Sequence, residues 1–326
     1  MSSDLSTALK PVANSIRGLA MDGVQKANSG HPGMPLGMAD VASLLWARYL
    51  KFDPQRPSWP DRDRFVLSAG HGSMLLYALL HLSGYDLPLE QLKQFRQWGS
   101  QTPGHPERHD TPGVEMTTGP LGQGISSAVG IALAEQWLAA RFNRPDFNLV
   151  DHHTYVIAGD GDLMEGISSE ASSLAGHWGL GKLIVFYDDN HISIDGSTSI
   201  SFTEDVAMRY MAYGWGTWHV DGHNPDAVAA ALEEALADGE RPSLIACRTI
   251  IGFGSPNRQG TAKAHGEPLG AEEVRLTKEA LGLPQEAFWA DPAAYQILGA
   301  AGKAGADEHT LWHDLLEKYT AVYPQE

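Results

Sequence analysis

The chain has 326 residues, of which 43% are hydrophobic, and it carries a formal net charge of −17. This acidic balance disfavours nucleic acid as a partner, because phosphate contacts need basic surface. The longest apolar runs, such as 183–187, are far too short to span a bilayer, so no membrane partner is predicted. Cys247 is the only cysteine, which excludes an intrachain disulfide and a cysteine-based zinc cluster. Because the amino end lacks a basic and apolar leader, we expect a cytoplasmic protein.

The first half of the chain predicts three helices and one short strand. Apolar and small side chains recur there at helical spacing, and one β-rich run lies between the second and third helices. The predicted elements, in chain order, are helices over 12–27 and 38–49, a strand over 64–68 and a helix over 124–141. The strand leads into a glycine–histidine segment, and the last helix follows a glycine-rich loop.

From residue 154 onward, short apolar runs alternate with helical segments. The run at 183–187 is continuously apolar, which is typical of a strand buried on both faces. The predicted order is strand 154–158, helix 167–177, strand 183–187, helix 204–213, strand 217–220, helix 226–237 and strand 244–250. This alternation predicts an α/β fold with a doubly wound, mainly parallel sheet and helices on both faces.

The length of the chain allows one large domain or two of medium size. We expect one α/β domain over residues 1–285 and a linker-like tail over 286–326. The tail is rich in alanine, glycine and acidic residues, and a terminal helix is predicted near 311–319.

Two polar residues follow neighbouring predicted strands. Asp160 comes at the end of one strand within Gly-Asp-Gly, and Asn190 follows the next, with the carbonyl of Ile192 two residues later. Ligands bind beyond the carboxyl ends of parallel strands, and Mg²⁺ takes six oxygen ligands that it often shares with phosphates. These three residues, two diphosphate oxygens and a water would complete such a set. Gly-Asp-Gly alone is usually only a turn, but the two strand contexts favour the metal site.

Two loops have a composition that suits ligand binding. Gly-Pro-Leu-Gly-Gln-Gly at 119–124 precedes a helix, so it either presents backbone N–H groups to phosphate or is only a turn. It does not follow the pattern of a dinucleotide-binding loop. Residues 252–263 have the composition of a mobile loop, and we interpret them as a lid or as a plain surface connection.

Four histidines are flanked by small residues in predicted loops. They are His31, His71, His105 and His265. A single surface histidine is usually inert, but four in such settings suggest a polar site for a hydroxylated substrate, because imidazole binds hydroxyls and moves protons near neutral pH. Their spacing does not match a His-Glu-x-x-His zinc site.

Several of these segments together resemble transketolase. In chain order they are Ser-Gly-His-Pro-Gly, Ser-Ala-Gly-His-Gly, Thr-Pro-Gly-His-Pro-Glu, Thr-Thr-Gly-Pro-Leu-Gly-Gln-Gly, Gly-Asp-Gly-Asp-Leu-Met-Glu-Gly, Tyr-Asp-Asp-Asn-His-Ile and Gly-Phe-Gly-Ser-Pro-Asn. The resemblance covers nearly the whole chain and implies the thiamine diphosphate-binding fold. It also implies thiamine diphosphate and Mg²⁺ as cofactors, with Ca²⁺ or Mn²⁺ as substitutes. The implied reaction transfers a two-carbon ketol unit from a ketose phosphate to an aldose phosphate in the pentose phosphate pathway.

The same resemblance implies roles for individual residues. The implied metal ligands are Asp160, Asn190 and the Ile192 carbonyl. The residues that contact substrate and assist proton transfer are His31, His105 and His265. The residues around the cofactor are His71, Gly119, Leu121, Gly161, Glu165, Asn190 and His265. Glu165 and Glu170 also resemble acidic residues near the family's subunit interface, although carboxylates at a helix N-terminus are an ordinary alternative.

The resemblance extends only to the diphosphate-binding domain of the family. A pyrimidine-binding domain, which supplies the activating glutamate, and a C-terminal domain are expected to be missing from this sequence. We therefore expect sugar-phosphate substrates, a homo-oligomer, and an active site completed by the pyrimidine-binding domain of a second chain or subunit. The isolated chain is expected to be inactive, as a fragment or as a split subunit. A dihydroxyacetone synthase-like enzyme, another thiamine enzyme and a non-catalytic cofactor-binding module are the alternatives.

Overall fold

A five-stranded parallel sheet forms the centre of the chain in a computed structural model, which describes residues 5–326. The strands are β1 (Arg64–Leu67), β2 (Thr154–Gly159), β3 (Leu183–Asp189), β4 (Ile192–Ser193), β5 (Gly196–Ser197), β6 (Gly216–Asp221) and β7 (Ser243–Arg248). The main sheet has the order β1-β2-β3-β7-β6, and every neighbouring pair in it is parallel. β4 and β5 form a separate antiparallel hairpin.

Helices surround this sheet and account for most of the remaining regular structure. They are α1 (Leu5–Ala27), α2 (Gly33–Arg48), α3 (Ser73–Leu82), α4 (Leu89–Leu92), α5 (Gln123–Phe142), α6 (Asp160–Met164), α7 (Gly166–Trp178), α8 (Val206–Ala212), α9 (Pro225–Asp238), α10 (Ala271–Leu281) and α11 (Pro292–Val322). Within residues 5–326, no helix combines the length and the apolar character needed to cross a membrane.

Alternation along the strands divides the hydrophobic core into two parts. In β2, Tyr155 and Ile157 belong to one part, whereas Val156 and Ala158 belong to the other. The first part includes residues of α1, α2, α3 and α9, and the second includes residues of α5, α7 and α8. Since successive side chains of a strand point to opposite faces, a continuously apolar strand serves both parts. The predicted doubly wound, mainly parallel α/β fold is confirmed.

Four helices, α3, α4, α6 and α10, are absent from the predicted elements, and α1 and α2 both start earlier than expected. α3 is apolar on nearly all sides and buried along its length, so it lacks the one-sided pattern that reveals a surface helix. The buried face of α10 consists largely of polar side chains, among them Glu273, Thr277 and Lys278. The apolar residues at helical spacing that would predict an amphipathic helix are therefore largely missing from this segment. α2 begins at Gly33 rather than at residue 38.

The tail after residue 286 differs most from its prediction. Instead of a linker with a short helix near 311–319, it contains α11, a helix of 31 residues. Ala294 and Leu298 are fully buried in the same part of the core as α1 and α2. Gly305 lies so close to another segment that a Cβ there would be 1.8 Å from the carbonyl oxygen of Phe52. The tail therefore packs on the domain, while the domain boundary near residue 285 stays a prediction.

Candidate cofactor-binding site

The carboxyl ends of β2 and β3 open into a cavity of about 420 Å³. Ten predicted site residues line it: His31, His71, Gly119, Leu121, Asp160, Gly161, Glu165, Asn190, Ile192 and His265. The remaining one, His105, lies in an adjoining groove with its ring centroid 6.4 Å from that of His31. Because parallel strands end at the same edge of a sheet, loops that are far apart in the sequence meet there.

Asp160 begins α6 directly after β2 and is 6% exposed. Its Oδ1 accepts a hydrogen bond from the hydroxyl of Tyr187, whereas its Oδ2 is buried and has no hydrogen-bond partner among residues 5–326. Burial raises the pKa of Asp160 to about 6, and the negative charge of Asp189 adds to this effect. A buried carboxylate oxygen without a donor is costly unless a cation binds it. Asp160 therefore fits the role of a ligand to a hard cation.

The side-chain amide of Asn190 is held in one orientation. Its Nδ2 donates to Asp188 at 2.8 Å, and its Oδ1 accepts the backbone N–H of Ile192 at 2.9 Å. Asp188 is buried and also accepts a hydrogen bond from the hydroxyl of Thr249; burial raises the pKa of Asp188 to about 7. Asp188 belongs to the Tyr-Asp-Asp-Asn-His-Ile motif. No local sequence pattern indicates that its side chain orients the amide of Asn190.

Asp162 is a second supporting residue that sequence reasoning does not single out. It is fully buried, and burial raises its pKa. Its carboxylate accepts hydrogen bonds from the Ser68 hydroxyl at 2.8 Å, the Gly122 N–H at 2.9 Å and the Gly159 N–H at 3.0 Å. These donors come from the ends of β1 and β2 and from the loop before α5. Asp162 thus ties together three of the segments that form the cavity.

The glycine-rich loop before α5 contacts the Gly-Asp-Gly turn. A Cβ at Gly161 would lie 3.0 Å from Cδ1 of Leu121. Gly119 has φ +148, a conformation that L side chains rarely adopt, and a Cβ there would lie 3.2 Å from Cγ of His105. A side chain at Gly161 would enter the space between the loop and the turn, and one at Gly119 would meet the ring of His105. The glycines therefore keep the backbone accessible to a ligand in the cavity.

The four histidines form one group of imidazoles. The ring centroid of His71 lies 5.2 Å from that of His31 and 5.1 Å from that of His265, and the last two are 5.8 Å apart. Burial is the main reason that the pKa of His31 falls to about 4 and that of His71 to about 3, and the charges of neighbouring histidines lower both further. Burial also lowers the pKa values of His105 and His265. Neutral rings of this kind can both donate and accept hydrogen bonds near pH 7.

Arg96 extends this group and is not predicted from the sequence. Its guanidinium donates to the Ser29 hydroxyl at 2.8 Å, and its charge contributes to the lowered pKa values of His31 and His105 after burial. The backbone of Arg96 has φ +62, which is uncommon for a residue with a side chain. The side chain of Arg96 packs against Gly104, where a Cβ would lie only 3.0 Å from Nε of Arg96. The surrounding sequence carries no signal for this placement.

The loop that contains residues 252–263 is anchored at its base. The N–H of Gly252 donates to the Gly33 carbonyl at 2.9 Å. Glu273 accepts hydrogen bonds from the hydroxyl of Ser255 and from the backbone and side chain of Asn257, the last two at 2.8 and 2.9 Å. These bonds place the short helical turn that leads to the cavity histidine at 265. The lid function of the loop stays a prediction.

The parallel sheet and the polar residues grouped at its carboxyl edge define an α/β domain of the thiamine diphosphate-binding fold. Residues 9–326 match the family described as the transketolase thiamine diphosphate-binding domain. The chain belongs to the transketolase family.

Known transketolases are similar to this chain over almost its whole length. Transketolase 1 of Escherichia coli (strain K12) is 58% identical over 318 residues, which cover 97% of this chain and 48% of that protein. Transketolase of Halalkalibacterium halodurans is 57% identical over 316 residues, covering 96% of this chain and 47% of that protein. This chain therefore spans about half the length of these relatives.

Solved structures of transketolases have the same fold. The transketolase of Leishmania mexicana superposes with a TM-score of 0.95 at 51% identity, covering 99% of this chain and 48% of that one. A transketolase from Pichia stipitis in complex with sedoheptulose-7-phosphate gives a TM-score of 0.95 at 49% identity, covering 98% of this chain and 47% of that one.

Proposed function

We propose that this chain binds thiamine diphosphate through a divalent cation and forms the diphosphate-binding half of a transketolase active site. One observation carries the proposal: the buried, unpaired Oδ2 of Asp160 lies in the same cavity as the fixed amide of Asn190. Carboxylate, amide and carbonyl oxygens are ligands that Mg²⁺ prefers, and Ca²⁺ accepts the same donors. The proposed protein ligands are Asp160, Asn190 and the carbonyl of Ile192, with Mn²⁺ as a further substitute.

The residues around these ligands fit a diphosphate and two rings. His71, Gly161 and His265 are proposed to lie around the diphosphate, and Gly119 and Leu121 beside the thiamine rings. Support comes from the shared cavity and from the two glycines that leave its walls without side chains. Glu165 also lines the cavity, and we propose that it contacts the cofactor near a subunit interface.

The proposed reaction moves a two-carbon ketol unit from a ketose phosphate to an aldose phosphate. Bound thiamine diphosphate supplies the carbanion-stabilising chemistry, while the protein binds and orients the reacting groups. His31, His105 and His265 are proposed to hold the hydroxyl and carbonyl groups of the substrate and to move protons. The Nδ1 atoms of His31 and His265 are buried and have no hydrogen-bond partner among residues 5–326, and this unmet hydrogen-bonding capacity supports the proposal.

The proposed active site is shared between two domains, and part of its groups comes from outside residues 1–326. We propose that the pyrimidine-binding domain of a second chain or subunit supplies them, within a homo-oligomer that acts in the cytoplasmic pentose phosphate pathway. The Pichia stipitis relative was crystallised with a sugar phosphate. Sugar phosphates are accordingly the substrates proposed here.

The metal assignment is tested with calorimetry of Mg²⁺–thiamine diphosphate binding. Asp160→Ala is expected to weaken binding by more than the roughly 10–100-fold that loss of an outer hydrogen-bond partner costs. Asp86→Ala is the control for loss of an acidic side chain, because Asp86 is exposed and does not line the cavity. Unchanged affinity in Asp160→Ala would show that Asp160 does not bind the metal.

The transferase assignment needs a second experiment. The chain is mixed with Mg²⁺, thiamine diphosphate, xylulose 5-phosphate and ribose 5-phosphate, with and without a separately expressed pyrimidine-binding half. We expect no turnover by the chain alone and turnover once the second half is added. Turnover by the chain alone contradicts the half-site proposal, and cofactor binding without turnover in either mixture supports a non-catalytic module.

A further inference from the structure

A polar cluster lies outside the cofactor cavity, between α1, α2 and the segment that follows β7. Arg17 is 2% exposed and donates to Oδ2 of Asp40 at 2.6 Å. Nδ1 of His223 lies 2.9 Å from the same oxygen. The ring of Phe253 contacts both: its centroid is 4.1 Å from that of His223 and 4.6 Å from Cζ of Arg17. These four residues are called the His223 cluster.

Both ring nitrogens of His223 make hydrogen bonds. Nε2 accepts the backbone N–H of Ile250 at 3.0 Å. Because Nε2 acts as an acceptor, Nδ1 carries the hydrogen that is donated to Asp40. Asp40 thereby sets the tautomer and the orientation of the imidazole, as outer carboxylates do for histidines in metal sites. The imidazole in turn holds the backbone immediately after β7.

The segment after β7 reaches both sides of the cofactor cavity. On one side, the hydroxyl of Thr249 donates to Asp188, which accepts Nδ2 of Asn190 at 2.8 Å. On the other side, Gly252 donates its N–H to the carbonyl of Gly33, at the start of α2. The amide that His223 holds lies between these two contacts in the chain.

We propose that His223 is a positioning residue for the cofactor site. By holding the amide of Ile250 it fixes the segment 249–252, and through Thr249 and Asp188 it sets the orientation of the Asn190 amide. The inference rests on the proposed cofactor-binding function and assigns part of it to a residue that does not line the cavity. A role in packing alone predicts a loss of stability without a separate loss of cofactor affinity.

His223→Phe tests this inference, because it keeps a ring against Phe253 and removes both nitrogens. Calorimetry on the full chain, well below the unfolding transition, is expected to show a 10–100-fold weaker affinity for Mg²⁺–thiamine diphosphate, the range typical of outer partners. Hydrogen exchange of the Ile250 amide is expected to become faster, since its acceptor is lost. His223→Gln places an acceptor near the position of Nε2 and is expected to lose less affinity than His223→Phe.

His81→Phe is the matched control. His81 also uses both ring nitrogens, bonding the Leu87 carbonyl and the Tyr295 hydroxyl at 2.9 Å each, and its ring packs against that of Tyr295. It lies at the far end of α3 and does not line the cavity. We expect His81→Phe to reduce stability and to leave the cofactor affinity unchanged.

The outcomes separate this inference from the proposed function. Equal cofactor affinity in His223→Phe and wild type, or equal losses in His223→Phe and His81→Phe, would overturn the positioning role. If the wild-type chain binds no Mg²⁺–thiamine diphosphate, the proposed function fails. The exchange experiment then decides alone: faster exchange at both Ile250 and the Asn190 side chain supports the inference, and faster exchange at neither or at Ile250 alone refutes it.

Discussion

Replacement of Asp162 is the most direct test of how the cavity is held together. This buried carboxylate accepts one hydroxyl and two backbone N–H groups, from Ser68, Gly122 and Gly159. Asp162→Ala leaves both N–H groups without an acceptor, at about 1–3 kcal/mol each. Removing a buried acid recovers part of this cost, so we expect a net loss of about 2–4 kcal/mol in the free energy of unfolding. In Asp162→Asn, the amide nitrogen faces the Gly159 N–H, and one lost bond costs about 1–3 kcal/mol.

Urea denaturation and calorimetry of cofactor binding together measure these effects. The expected order of stability is wild type, then Asp162→Asn, then Asp162→Ala, and cofactor affinity is expected to fall in the same order because the loop before α5 loses its anchor. Asp291→Asn is the control: Asp291 caps α11 far from the cavity, and asparagine caps helices about as well as aspartate. A change of less than about 1 kcal/mol in Asp162→Ala would refute this account of the site.

Three further predictions concern the packing of α11, a buried ion pair and the response to acid. Gly305→Ala forces a methyl into a carbonyl oxygen and is expected to cost about 1–3 kcal/mol in urea denaturation, whereas Gly299→Ala, with nothing within 4 Å, is expected to stabilise by up to about 1 kcal/mol. Lys278→Met leaves Asp22 buried without its cation, a loss of about 3–5 kcal/mol that Asp22→Asn added to the same chain should partly restore. The folded-state pKa of His71, about 3, lies below the unfolded value, so its contribution makes the chain less stable as pH falls through 6.5. Because the ring is partly exposed, His71→Gln is expected to reduce the stability difference between pH 7 and pH 5 by at most about 2 kcal/mol; an unchanged difference would mean that the ring titrates normally.

Much of the candidate site can be predicted because its residues occupy short segments with a strong local signal. Asp160 follows a strand and is flanked by glycines, and His31 lies between small residues in a loop. The apolar pattern of a helix or strand does not explain a polar residue at such a position, so its presence suggests ligand binding. Arg96 gives no such signal, because its position depends on a left-handed backbone and on the space left by Gly104.

In the fold, too, some features follow from local sequence patterns and others do not. Strands buried on both faces are apolar throughout, and that pattern alone indicates a parallel sheet covered by helices. The position of β7 between β3 and β6 is not contained in any local pattern, because it depends on which edges pair after the chain has crossed over the sheet. α11 also escapes prediction over most of its length, because its alanines and glycines become a packing surface only when another segment lies against them.

The sequence by itself determined the kind of layers in this protein and the residues that meet at the carboxyl edge of its sheet. Only the tertiary structure decided how those residues are supported. Asp162 bonds to Ser68 across 94 positions of the chain, and His223 bonds to Asp40 across 183. A hydrogen bond over such a separation depends on the relative placement of whole helices and strands. The residues that flank each partner in the sequence therefore do not predict it.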